Sequence, residues 1–226
     1  MTSRSTEDLV QQLIRNLPPV KPIARLRFAA AGVVALWVAA VAATGWMTGT
    51  WPRLGEAAFW ADPITLAILL GLGAAAAGAV VAALASAVPG RERLARAGGM
   101  GAGFAAAWLI GCGIWAVVGS ASESAGALLA GSASCLMHAL VLAIPAALAA
   151  SFYLSRGAPQ RRLFASGVAA MGAAGLGALA VHTTCSMAGG FHLLLGHCLT
   201  PMIAGLVFAL PLAGLIQRWS PAALQS

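Results

Sequence analysis

Cys135, His138, His182, Cys185, His192, His197 and Cys198 take in all four histidines and three of the four cysteines of this sequence. Thiolate and imidazole together are the ligand set of Cu(I) and Zn(II), and Met137 and Met187 offer thioethers nearby. Two thiols in an oxidising compartment could instead form a disulfide, for example Cys135 with Cys185 or Cys185 with Cys198. Cys135 and His138 stand at i and i+3, which puts them on one face of a helix and lets them converge on one ion. His192 and His197 are five residues apart, about one and a half α-helical turns, so an α-helix aligns them poorly. The expected sensor set, by metal or redox chemistry, is therefore Cys135, Cys185, His138, His192, His197 and Cys198, with Cys135, Cys185 and His197 as metal ligands. No cofactor is required; the ion expected, if one is bound, is Cu, Zn or another heavy metal.

The elements that position these groups follow from composition. The 226 residues are 60% hydrophobic and 8% charged, with a mean hydropathy of +0.88. Soluble domains carry about 25% charged residues, so an all-α polytopic membrane protein is expected. Apolar stretches of bilayer-crossing length lie at about 28–46, 64–88, 100–118, 135–154, 163–181 and 191–216. Six such spans put the Cys/His group at the same ends of spans four, five and six. Of the 13 Lys and Arg, only Arg53 falls in a loop at that end. The other cations cluster at the opposite end, and Lys and Arg in short loops stay cytoplasmic. The expected topology is N-in and C-in, in a bacterial inner membrane. A cytoplasmic head at 1–27, a six-helix bundle at 28–218 and a cytoplasmic tail at 219–226 complete the division.

Several function classes are disfavoured. A net charge of +7 is explained by these cytoplasmic anchors, and no basic patch interleaved with aromatics suggests direct nucleic-acid contact. The glycine-rich run at 98–103 opens a membrane helix and lacks the Lys-Ser or Lys-Thr of a phosphate-binding loop. There is no HExxH, no GxSxG and no carboxylate pair inside a span, so no enzyme is expected. Cys112, between Gly111 and Gly113, reads as a small buried hydrophobe. Tyr153, Trp46, Trp51, Trp60 and Trp219 read as an aromatic belt, with Asp62 as an interface residue. A soft-metal transporter or metal-handling membrane protein is the rival reading. It calls for ligands deeper in the bundle, where the sequence offers Cys112, Met171 and Met202.

The head carries its own pattern. Ser5 can cap a helix with Glu7 and Asp8 in its first turn, and Pro18-Pro19 stops it. Leu9, Val10, Leu13, Ile14 and Leu17 recur at helical spacing and form one apolar face. A helix of about 12 residues is marginal alone, so that face needs a surface to bury it. Membrane lipid and the groove of a cytoplasmic partner both qualify.

The segment Asp8-Leu-Val-Gln-Gln-Leu-Ile-Arg-Asn-Leu-Pro-Pro-Val20, six spans, a cysteine opening span four, and Cys185-Ser-Met-Ala-Gly-Gly-Phe-His-Leu-Leu-Leu-Gly-His197 entering span six resemble the NrsF-type anti-sigma factors, negative regulators of sigma F. The resemblance spans nearly the whole chain. It departs at Gly196, where the family pattern has Trp, and Cys198 is an addition. It implies a membrane anti-sigma factor whose head, through Leu9, Val10, Leu13, Ile14 and Leu17, holds an extracytoplasmic-function sigma factor. It further implies that Cys135 and Cys185, which match the family's cysteines, sense metal or oxidative stress outside the cytoplasm.

Overall fold

A computed structural model of the chain describes residues 24–120, 125–157, 161–186 and 189–220, with single positions 7, 10, 11 and 159; at 125–130 and Thr48 the backbone alone is described. Every regular element among these is helical. In order they are α1 (Leu26–Thr48), a 3-10 turn (Arg53–Gly55), α2 (Ala57–Ala61), α3 (Pro63–Ser86), α4 (Glu92–Gly119), α5 (Ala125–Arg156) and α6 (Arg162–Thr184). The last crossing is composite: α7 (Gly190–Leu193), a π turn (Leu194–Cys198), α8 (Thr200–Val207) and α9 (Ala209–Trp219). Six helical stretches are long and apolar enough to cross a membrane.

Local chemistry sets the helix ends. Asp62 caps α3, accepting the N–H groups of Ile64 and Thr65 at 3.2 and 3.3 Å, and Pro63 occupies the first helical position where no donor is needed. Asp62, read from sequence as an interface residue, also caps this helix. Gly49 ends α1 at φ 69°, a left-handed conformation that costs glycine little.

Helix α6 is the hub, with 67% of its apolar stretch buried against 6% for α1. Small residues make this possible in a medium that offers no hydrophobic drive between helices. At Gly177 a Cβ would collide with the Ala139 carbonyl, so α5 and α6 touch backbone to backbone one turn from Cys135. Two hydrogen bonds help to hold peripheral α1 and the residues just before it. Trp37 Nε1 donates to the Leu176 carbonyl at 2.8 Å, and Tyr153 Oη donates to the Ala24 carbonyl at 3.0 Å. Tyr153 is 7% exposed and belongs to the interior rather than to an aromatic belt, whereas Trp46, Trp51 and Trp60 are exposed.

Two spans differ from their sequence expectation in instructive ways. Helix α5 begins at Ala125, so Cys135 lies about 15 Å inside the helix rather than at its start. The stretch 191–216 is not one helix. Pro201 has no N–H for the His197 carbonyl and crowds it, and the turn before it widens to a π turn, closed by Leu199 N–H to Leu194 O at 2.9 Å. Pro211 has the same effect on the Val207 carbonyl, and the helix breaks at Phe208.

Of the head's apolar face, Val10 is helical and 46% exposed; Leu9, Leu13, Ile14 and Leu17 lie outside the described residues.

Candidate metal or redox site

Three segments converge at one end of the bundle. Helix α5 supplies Cys135, the residue that follows α6 is Cys185, and the entrance of the last crossing supplies His192 and His197. The π turn aligns the two histidines. Its wider turn brings residues five apart onto one face, and their Nε2 atoms lie 3.2 Å apart. Thr200 Oγ1 donates to the Gly196 carbonyl at 2.9 Å, relieving an acceptor that the irregular ladder would leave short. Gly196 matters for a second reason: a Cβ there would stand 3.3 Å from Cys135 Cβ, so a larger residue would press on the thiol.

Cys135 Sγ lies 3.7 Å from Cys185 Sγ, and Cys185 Sγ lies 3.2 Å from His192 Nε2. The four donor atoms of Cys135, Cys185, His192 and His197 are all within 4.8 Å of one another. Bond lengths of about 2.3 Å to sulfur and 2.0–2.1 Å to nitrogen give tetrahedral edges of about 3.75 Å for S–S, 3.3 Å for N–N and 3.55 Å for S–N. The three measured edges fall within a few tenths of an ångström of these. The remaining pairs reach as far as 4.8 Å, so the group could hold one ion once those edges close by about an ångström, and its thiol and imidazole donors are those that suit Cu(I) or Zn(II). The two sulfurs stand well beyond the ~2.05 Å of a disulfide, although adjacent enough for thiol chemistry.

Both imidazoles are fully buried, and the Nδ1 atom of each has no hydrogen-bond partner among the described residues. Ligation through Nε2 would need the tautomer with its proton on Nδ1. The cysteines are half-buried, which leaves the thiol side of the site the more accessible one.

A further layer surrounds the ligands. His182 is 4% exposed, its Nε2 lies 3.0 Å from the Thr65 carbonyl, and its ring meets that of His197 edge-on at 5.2 Å between centroids. Phe59 of α2 is buried with its ring 6.4 Å from that of His182. Arg53 donates to the Cys185 carbonyl at 3.1 Å and pairs with Glu56 at 2.7 Å. Hydrogen bonding to the Arg53 guanidinium holds the Glu56 carboxyl below its usual range. The segment 53–61 thus roofs the site. Arg53 and Phe59 carry no metal-ligand signal in sequence; only the isolation of Arg53 from the other cations set it apart.

The remaining expected members lie outside this quartet. His138 is exposed and turned back on its own helix, its Nδ1 2.7 Å from the Ser134 carbonyl, so Cys135 and His138 do not converge. Their i, i+3 offset places them on one side of α5, but Cys135 turns inward while His138 faces outward. Cys198 is fully buried in the same apolar cluster as Cys112, beyond His197.

Comparison with known proteins agrees on nearly the full length. The family model for NrsF, negative regulator of sigma F, matches residues 13–219. No match is found among curated proteins or among solved structures.

Proposed function

Since this chain belongs to the NrsF family of negative regulators of sigma F, we propose that it is an inner-membrane anti-sigma factor holding a sigma factor of the extracytoplasmic-function class. The apolar face Leu9, Val10, Leu13, Ile14 and Leu17 of a cytoplasmic head is the docking element. Its input is the quartet Cys135, Cys185, His192 and His197, facing the far side of the membrane and responding to a soft metal ion or to oxidation. His138 and Cys198 are then outlying groups, not ligands. The observation that carries the sensor reading is the convergence of four donor atoms within 4.8 Å from three separate segments. In a chain with so few reactive groups, such convergence suits ligation better than packing.

Signal transfer needs a structural element shared by both ends. Helix α5 is one: it carries Cys135 about a third of the way along and Tyr153 in its last turn, about 27 Å away by helical rise. Tyr153 donates to the carbonyl of Ala24, where the head joins α1. Binding at the quartet biases the bundle toward whichever arrangement ligates better, and it can do so only by that difference in affinity.

Two substitution sets test the reading. Leu13→Asp with Ile14→Asp abolishes co-purification of the sigma factor, because charge at the centre of the apolar face cannot be buried unpaired. Undiminished capture by that variant removes the head from the account. Cys135→Ser with Cys185→Ser keeps membrane insertion and capture but abolishes release; a release curve identical to the parent's removes the sensor.

A further inference from the structure

At the end of the bundle opposite the quartet, a cavity of about 650 Å³ opens between the α3–α4 connector, the first turns of α4 and the start of α6. Two guanidiniums, Arg96 and Arg161, line it together with an apolar wall that includes Val88, Pro89, Met100 and Phe164. The one acid in its lining, Glu92, has its carboxylate turned to the N–H of Gly90 at 2.9 Å. Neither arginine forms an ion pair among the described residues. Ser86, the lining hydroxyl, donates to the Ala83 carbonyl at 2.6 Å. What the cavity offers a ligand is two fork-shaped cationic donors above apolar surface, with the Glu92 carboxylate within the field of Arg96 but turned to Gly90.

We propose that this cavity is a site for one anionic phospholipid, its phosphate between Arg96 and Arg161 and its upper acyl chain against Met100 and Phe164. Guanidinium pairs suit phosphate oxygens, which accept their parallel N–H bonds. Basic pockets between membrane helices at the cytoplasmic boundary bind anionic headgroups in this way. The apolar wall argues for a lipid over free phosphate. Met100 is 71% exposed and Phe164 46% exposed on stretches apolar enough to cross a membrane, so this wall faces acyl chains, where a lipid tail and not a free anion belongs. A zwitterionic headgroup would bring its own cation beside two guanidiniums. The site involves none of the quartet and depends only on the chain lying in a membrane.

The test is native mass spectrometry of the full chain in detergent after exchange into phosphatidylglycerol, phosphatidylcholine or inorganic phosphate. The expected result is one phosphatidylglycerol retained per chain, with phosphatidylcholine held far less. Arg96→Gln with Arg161→Gln lowers phosphatidylglycerol retention about thirtyfold, from the worth of two cations near a headgroup. The corresponding double Lys variant keeps most of it, and Arg91→Gln with Arg93→Gln leaves it unchanged. Equal retention of the two lipids by the parent chain overturns the proposal without recourse to any variant. So does a Gln variant that folds and retains lipid as the parent does, or displacement of the lipid by millimolar phosphate, which would assign the cavity to a free anion.

Discussion

Tyr153→Phe isolates the link between the quartet and the head. The substitution keeps the ring that packs in the core and removes one hydroxyl, which donates to the Ala24 carbonyl at 3.0 Å. A typical intramolecular hydrogen bond contributes about 0.5–1.5 kcal/mol net, and about 1 kcal/mol corresponds to a fivefold change in an equilibrium. That bond belongs to the same arrangement that holds four donor atoms within 4.8 Å of one another. Losing it lowers the fraction of chains poised to ligate, and the apparent dissociation constant rises in inverse proportion. The expected outcome is a metal-binding midpoint raised in the purified chain, by as much as about fivefold where the poised arrangement is the minor one. The midpoint of a sigma-dependent reporter moves to higher metal by the same factor, with maximal output intact. Competitive titration against a chromophoric chelator gives the first number, and a dose-response curve in cells gives the second. An unchanged pair of midpoints refutes the link. So does a shift in the reporter alone, because coupling between two sites through one equilibrium is reciprocal.

Cys135→Ser with Cys185→Ser costs more than the ~100-fold in metal affinity that loss of an outer-shell partner can cost, at unchanged helical content by circular dichroism. Metal affinity in the parent chain falls as pH falls, because thiols must lose protons to ligate; a flat profile from pH 8 to 6 would argue against cysteine ligation. Pro201→Ala restores the missing N–H, lets the π turn relax to α and moves His192 and His197 off one face. The expectation is a metal affinity reduced by about tenfold or more with the thermal midpoint held or raised, and unchanged affinity would separate the π turn from ligation. Gly177→Ala drives a Cβ against the Ala139 carbonyl and destabilises the bundle by about 1–3 kcal/mol, read as a lower thermal midpoint in detergent.

Much of the architecture was legible because a bilayer imposes length and hydropathy so strongly. Spans such as 64–88 and 163–181 match α3 and α6 within a few residues. What hydropathy cannot see is polar or small-residue helix beyond the apolar window. Helix α4 therefore begins at Glu92, well before Met100, and α5 begins at Ala125, well before Cys135. The site was legible as a group of residue types but not as a constellation. A 3.6-residue period set His192 and His197 apart and set Cys135 beside His138, whereas the π turn joined the first pair and burial divided the second. The clue to the π turn was present in Thr200-Pro201, a proline inside an apolar run, yet where a proline's irregularity settles depends on packing against the neighbouring helices. Arg53 and Phe59 were out of reach because a roof over a site is a tertiary relation between segments far apart in the chain.

The central claim is that loading the quartet releases the sigma factor. Its most direct measurement is a titration of Cu(I) or Zn(II) into the full chain bound to its sigma factor in lipid nanodiscs, following bound metal and retained sigma factor together. The expected result is one ion per chain, sigma factor lost in proportion to metal bound, and neither event with Cys135→Ser and Cys185→Ser. Metal bound stoichiometrically at the quartet with the sigma factor still held, or release undiminished in the double serine variant, would contradict it.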